Sequence, residues 1–286
     1  MIELRDIHYV RIGTQDLDAA ERFATEVMGL EMVTRTPDRL YLRSDHRHHT
    51  LCYFLGDPSE QILAFDLKHA DALDAAFEYL KLHDVPCGRG SAEEAADRHV
   101  NAFMWLLDPT GNRIELLSRP HDSARRYFPA RDAGVTGIGH VGLCTTDPVR
   151  DQHFWLKHFN AMVSDWIGPC PLMRVNPRHH QMALFPSTRK GIQHINYQVQ
   201  DFDDVMRSWY FLQERGIKIV FGPGRHATSG GIFLYFEGPD GMVYEYSNSD
   251  RKIIEDLANY RPRQFPMHPS SFCVWGAKPD IAEFRD

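Results

Sequence analysis

The sequence is poor in cysteine, in long apolar runs and in clustered basic charge. Its five cysteines, Cys52, Cys87, Cys144, Cys170 and Cys273, are odd in number and widely separated. That excludes a disulfide-dense scaffold and suits reduced thiols in a cytoplasm. No apolar run approaches the roughly twenty residues that span a bilayer. The opening Met1-Ile2-Glu3-Leu4-Arg5-Asp6 has no basic stretch followed by an apolar one, so neither a membrane span nor an export signal is expected. The net charge is -7 and basic residues form no run, which argues against nucleic acid as a partner.

What is present is a chain of 286 residues, 43% of them hydrophobic, enough for two domains with their own cores. It repeats itself. Ile7-His8-Tyr9-Val10-Arg11-Ile12, then Asp16 and an amphipathic stretch through Phe23 and Val27, is matched by Gly139-His140-Val141-Gly142-Leu143, Asp147 and a stretch through Phe154 and Phe159. Each Asp is an N-cap signal for the helix after it. The segments starting at Arg47-His48-His49 and Arg178-His179-His180 also match. So do the strands Leu63–Leu67 and Ile195–Val199, each ahead of a helix, from Asp71 and from about Asp203. Asp108-Pro109-Thr110-Gly111 and Gly238-Pro239-Asp240-Gly241 are turns before strands that carry Glu115 and Glu245. The pairs His8/His140, His49/His180, Ile62/His194 and Glu115/Glu245 are separated by 132, 131, 132 and 130 residues. Four landmarks in register predict a duplicated α+β chain, each half splitting again into two strand–helix–strands units. Residues 1–118 form the first module, 119–133 a polar linker, 134–250 the second module and 251–286 a tail.

Sixteen histidines make any single one weak evidence. His140, His194 and Glu245 differ from the rest because all three fall on strands of alternating polarity and can share one sheet face. Two histidines and one carboxylate on one face form a facial triad, a set suited to non-haem Fe(II) with open positions. In the first half Ile62 stands where the second has His194, so the N-terminal module is expected to fold alike and bind no metal. The doublet His48-His49 is given no role.

The two-module chain with a His, His, Glu set in its second half resembles the type I extradiol ring-cleavage dioxygenases of the vicinal oxygen chelate superfamily, from about Ile7 to Trp275. The resemblance implies tandem modules of paired βαβββ units forming cupped mixed sheets. It implies an enzyme that cleaves a substituted catechol, such as a 2,3-dihydroxybiphenyl-like one, with O2 to a hydroxymuconate semialdehyde-type product. The implied cofactor is Fe(II), with Mn(II) the rarer alternative, held by His140, His194 and Glu245. Asn176-Pro177-Arg178-His179-His180-Gln181 resembles the stretch that supplies the family's acid–base histidine, and His180 is aligned to it. Gly222-Pro223-Gly224-Arg225-His226 resembles the loop with a second active-site histidine, His226. Tyr235 matches the family's tyrosine. The family often has Asn or Asp shortly after the second histidine, where this chain has Thr228 and Ser229. Leu172, Met173, Arg174 and Thr228 are the candidate substrate contacts, with Phe185 beside them. The family commonly assembles, so a homo-oligomer is expected.

The tail reads as a helical turn or two from Arg251 to Leu257, then an irregular segment rich in proline and aromatics. It is either a cover over the pocket or a strap along the sheet edge. Two other functions fit the same scaffold: a glyoxalase-like lyase or isomerase, and a non-catalytic small-molecule binding protein.

Overall fold

The computed structural model describes residues 1–248 and 253–284, and in it the chain forms two mixed sheets. The first contains β1 (Leu4–Thr14), β2 (Glu31–Arg35), β3 (Arg39–Arg43), β4 (Leu51–Leu55), β5 (Gln61–Leu67), β6 (Cys87–Arg89), β7 (Val100–Leu107) and β8 (Arg113–Pro120). Their order is β2-β3-β4-β1-β5-β8-β7-β6. The second contains β9 (Val135–Thr145), β10 (Met162–Ile167), β11 (Cys170–Arg174), β12 (Met182–Pro186), β13 (Ile192–Val199), β14 (Ile219–Arg225), β15 (Ile232–Glu237), β16 (Val243–Asn248) and β17 (Arg263–Phe265). Their order is β14-β15-β16-β13-β9-β12-β11-β10-β17.

Each sheet is two βαβββ units set side by side. The helices α1 (Leu17–Arg22), α2 (Leu73–Leu82), α4 (Pro148–His158) and α5 (Phe202–Glu214) follow β1, β5, β9 and β13, while α3 (Ala92–Asp97) is an extra turn before β7 and α6 (Pro269–Phe272) lies in the tail. Within each unit the first strand pairs in parallel with the last, and the two first strands run antiparallel through the sheet centre. This is the α+β architecture the repeats imply. Asp16 and Asp147 cap α1 and α4 as expected, accepting hydrogen bonds from Ala19 and from Val149 and Arg150. The other two helix starts differ. α5 begins at Phe202, because Asp201 forms a reciprocal capping box with Asp204, and the residue before α2 is Ala72, with no side-chain cap.

Alternation along the central strands separates two environments. On β13, Ile195, Tyr197 and Val199 enter the main core, which runs through both halves of the chain. His194 and Asn196 take the other parity. Large rings join the halves: Phe65 lies 5.7 Å from Trp155, and Phe23 lies 5.8 Å from Tyr244. Burying a side chain of that size contributes about 1.5–3 kcal/mol. β8 runs on through Pro120, into the stretch read as linker. Arg131 in that stretch donates to the Val27 carbonyl and Ser208 Oγ, so it is tied to both halves. In the tail, Ile253 makes a bridge to Arg178 and the chain turns rather than forming the expected helix up to Leu257; Arg251 and Lys252 lie outside the described residues. No helix among the described residues is long and apolar enough to cross a membrane. All five cysteines are free thiols.

Strand register corrects one equivalence. Arg11 pairs with Ile62 as Gly142 pairs with His194, and Val10 pairs with Leu51 as Val141 pairs with Met182. Tyr9, not His8, therefore stands at the place of His140. A bulge in each central pair lets sequence spacing slip by one residue, which in a strand reverses the side a residue faces. His8 lines a separate cavity with Asp6, Arg47 and Arg178. Tyr9 donates to Glu115 Oε2 at 2.7 Å. Arg98 grips the same carboxylate with two bonds, Nε to Oε2 at 2.9 Å and Nη2 to Oε1 at 2.8 Å. A guanidinium thus neutralises the buried Glu115, and Ile62 supplies no ligand.

Replacing Arg98 with Met should leave that buried carboxylate without its two-bond partner, with only the longer 3.5 Å charged contact from Arg113 Nη2 remaining. Denaturant titration should show a loss on the order of 3–5 kcal/mol, partly recovered by adding Glu115→Gln, with metal content unchanged. Unaltered stability would show that Arg98 is not what neutralises Glu115.

Candidate metal centre

The second sheet brings β16, β13 and β9 together as neighbours, and each contributes one residue to a common point. His140 Nε2 lies 3.0 Å from His194 Nε2. Glu245 Oε2 lies 2.9 Å from His140 Nε2 and 3.5 Å from His194 Nε2. All three side chains are buried, and they form the one group of metal-donor residues found among the described residues. The donor set fits a metal ion on two grounds. Bonds of about 2.1 Å meeting at right angles place donor atoms about 3 Å apart. Glu245 Oε2 also meets only the two imidazole nitrogens, with no well-aligned hydrogen bond among the described residues, an arrangement that a shared cation would satisfy.

Neighbouring residues orient these ligands. Gln193 Oε1 accepts from His194 Nδ1, which directs Nε2 to the centre. Gly142 pairs across from His194, and a Cβ on it would lie 2.5 Å from His194 Nδ1 and 3.0 Å from Gln193 Oε1. The glycine is what lets the imidazole lie flat over β9; the first sheet has Arg11 in the equivalent place.

The other expected residues divide into those near the centre and those that face elsewhere. The His180 ring lies 4.2 Å from that of His140, while His179 turns to Asp165, with Nε2 2.9 Å from Oδ2. His226 Nδ1 donates to the Phe272 carbonyl at 2.8 Å, which leaves Nε2 3.4 Å from Glu245 Oε1 and 3.3 Å from the Tyr235 hydroxyl. Leu172 shares an apolar cluster with Phe185, Phe233 and Tyr235, and the Phe185 and Tyr235 rings lie 5.9 and 5.1 Å from that of His194. Met173 takes the opposite parity and enters the main core, so it is not a substrate contact. Arg174 is buried, with Nη1 donating to the Val163 carbonyl and Ser164 Oγ and its guanidinium packed against Tyr260. Thr228 lines a cavity of about 760 Å³ with His179, His226, Tyr260 and Arg263. The tail therefore forms a wall of this cavity and, through β17, also pairs with the edge strand β10.

Electrostatics at the centre favour an ionised Glu245 and a neutral Tyr235. Burial alone would push the Glu245 carboxyl up, but the His140 and His226 rings outweigh it and hold it well below the usual carboxylate range. Burial, reinforced by Glu245, pushes the Tyr235 phenol well above its usual value, so Tyr235 stays a hydrogen-bond donor.

The sequence reading missed Asp165, Arg263, Gln193 and Gly142. A charged residue inside the strand Met162–Ile167 was a usable signal for Asp165. Nothing local marks Arg263, whose partner lies 98 residues away.

Two cupped sheets of paired βαβββ units with a His, His, Glu centre in the second define a vicinal oxygen chelate protein. Residues 6–116 and 137–246 match the Glyoxalase/Bleomycin resistance protein/Dioxygenase superfamily, and the chain belongs to it. It is 27% identical over 271 residues to a biphenyl-2,3-diol 1,2-dioxygenase of Sphingomonas paucimobilis, covering 88% of this chain and 90% of that protein. It is 26% identical over 277 residues to an iron-dependent extradiol dioxygenase of Rhodococcus jostii, covering 89% and 92%. In fold it resembles the substrate complex of homoprotocatechuate 2,3-dioxygenase from Brevibacterium fuscum, with TM-score 0.89 and 20% identity over 99% of this chain and 92% of that one.

Metal analysis of purified protein should approach one iron or manganese per chain, and two tightly held ions would contradict a centre confined to the second sheet. Gly142→Ala should weaken metal binding by about 10–100-fold in competition with a chelator, because the new methyl displaces His194. Undiminished affinity would show that the imidazole has another resting place.

Proposed function

We propose that this protein is an extradiol dioxygenase that cleaves a substituted catechol, such as a 2,3-dihydroxybiphenyl-like one. The products are hydroxymuconate semialdehyde-type compounds that retain both atoms of O2. The observation that carries the reading is the convergence of His140, His194 and Glu245 within 2.9–3.5 Å, all three buried. Iron-dependent and biphenyl-diol-cleaving relatives over most of the chain support it.

Fe(II) bound by these three residues, or Mn(II) in its place, supplies a Lewis acid with open positions that acidifies a catechol hydroxyl and brings both reactants together. The protein's own residues then divide the work. His180, beside His140, accepts the hydroxyl proton and returns it as the ring opens. His226 Nε2 and the Tyr235 hydroxyl face the same point and hold substrate oxygens through hydrogen bonds. Leu172 and Thr228 bound the space for the ring substituent. The adjoining cavity falls within the range of about 300–1,000 Å³ usual for small-molecule sites.

The first module, residues 1–118, serves as scaffold without metal, because Arg98 and Tyr9 already satisfy its glutamate. A glyoxalase-like centre usually draws ligands from both modules, and that guanidinium already occupies Glu115, the first module's counterpart of Glu245. Residues 119–133 join it to the catalytic module, 134–250, and the tail from 251 covers the pocket. Five free thiols fit a cytoplasmic enzyme, and assembly into a homo-oligomer follows the family habit.

Ferrous-loaded protein in air should turn substituted catechols into yellow ring-fission products, measured by absorbance. No product across alkyl, aryl and bicyclic catechols would sink the proposal. His180→Gln should keep its metal and bind catechol, while turnover falls by about 10²–10⁴-fold. Near-normal turnover in that variant would remove His180 from the acid–base role.

A further inference from the structure

Behind His180 runs a line of polar contacts that the reaction above does not use. His180 Nδ1 lies 3.0 Å from His179 Nδ1, and His179 Nε2 lies 2.9 Å from Oδ2 of the fully buried Asp165. Arg263 on β17 closes over the far side of that carboxylate. Its backbone N and Nε donate to Oδ1 at 2.9 and 3.1 Å, and its Nη2 donates to Oδ2 at 2.6 Å. The same Nη2 donates to the Thr228 carbonyl at 2.6 Å, on the wall of the cavity.

The protein contains its own control. In the first sheet His48 and His49 repeat the doublet, with Nδ1 atoms 3.2 Å apart, and His49 stacks on Tyr9 as His180 lies beside His140. Yet Thr34 pairs with Tyr41 where Asp165 pairs with Leu172, so a threonine stands in place of the acid. His48 stacks on His99 instead, at 3.6 Å. The strand β2 is the edge of its sheet, with no counterpart of β17 among the described residues. Histidine doublets occur in both halves; the acid and its arginine accompany only the one beside the candidate metal centre.

Donor and acceptor logic then assigns the hydrogens. An ionised carboxylate only accepts. Burial would raise the Asp165 pKa, but His179 and Arg263 outweigh it and hold it low, so His179 Nε2 carries the hydrogen. With His179 neutral, its Nδ1 is an acceptor, and the hydrogen between the two rings then sits on His180 Nδ1. That tautomer places the ring's lone pair on His180 Nε2.

We propose that Asp165, His179 and Arg263 are positioning residues that fix the tautomer of His180 so that its Nε2 accepts the substrate proton, and that docking of the C-terminal strand on β10 completes this relay. The inference rests on the acid–base reading of His180 given above. The proton leaves the catechol oxygen and bonds to Nε2; the imidazolium formed keeps its Nδ1–H on His179, whose own Nε2–H remains on Asp165. No bond in the relay need break, and the positive charge forms facing a line of oriented acceptors that ends in a carboxylate.

The test begins with long-range proton–nitrogen NMR on metal-free, histidine-labelled protein, with resonances assigned through His179→Gln and His180→Gln. The expected result is hydrogen on Nε2 of His179 and on Nδ1 of His180. Hydrogen on Nε2 of neutral His180 would overturn the proposal, whatever any variant does. Asp165→Asn should place its amide NH2 toward His179, because Arg263 claims the oxygen, and so reverse both tautomers. In ferrous-loaded enzyme its kcat should fall by about 10²-fold or more, with KM and metal content nearly unchanged. Arg263→Ala alters a half-exposed side chain and should lower kcat by about tenfold, again without moving KM. Wild-type kcat in Asp165→Asn, or a loss seen only in KM, would also overturn it. If wild-type protein cleaves no catechol, the proposed function fails, but the tautomers are read without metal or substrate and still decide this inference.

Discussion

A buried carboxylate that must meet a positive charge governs both halves of this molecule. Glu115 and Glu245 occupy equivalent strands and are both fully buried. In the first sheet Arg98 and Tyr9 satisfy the charge by hydrogen bonds, and the site is closed by the protein alone. In the second, two imidazole nitrogens converge on one oxygen of the carboxylate, with no well-aligned hydrogen bond to it among the described residues. One duplicated scaffold has thus solved the same electrostatic problem with a guanidinium in one half and with a ligand set in the other.

The sheet makes this possible because adjacent strands hold their side chains at fixed separations and fixed parity. β9, β13 and β16 each contribute one donor, and the bulge opposite Asn196 brings His140 into line with the other two. Room is as important as direction. Gly142 clears the space that the His194 ring occupies, and Gln193 fixes which nitrogen points inward. The second layer reaches further, through His179 and Asp165 to a strand contributed by the tail. The pocket wall and the polar line behind His180 are therefore held by the same arginine.

Much of this was legible in the sequence because duplication supplied an internal alignment. The βαβββ units, the caps at Asp16 and Asp147, and the grouping of His140, His194 and Glu245 follow from period-two strands and turn residues, which are local properties. Spacing failed at His8, because a bulge shifts parity without leaving a mark in the sequence. It failed at Met173 for a related reason: nearness to His180 along the chain says nothing about which side of β11 a residue faces. Arg174 kept the parity of Leu172 but spends its guanidinium on a neighbouring backbone carbonyl and hydroxyl.

The sequence by itself determined the order of elements, the duplicated halves and the residues able to bind metal, since hydrophobic period and ligand type are written locally. Only the tertiary structure decided that Tyr9 and Arg98 close the first site, that Asp165 stands behind the histidine doublet, and that Arg263 meets it from 98 residues away. The physical reason is that a charge–charge contact depends on distance in space, and strand register and chain return, not composition, set that distance.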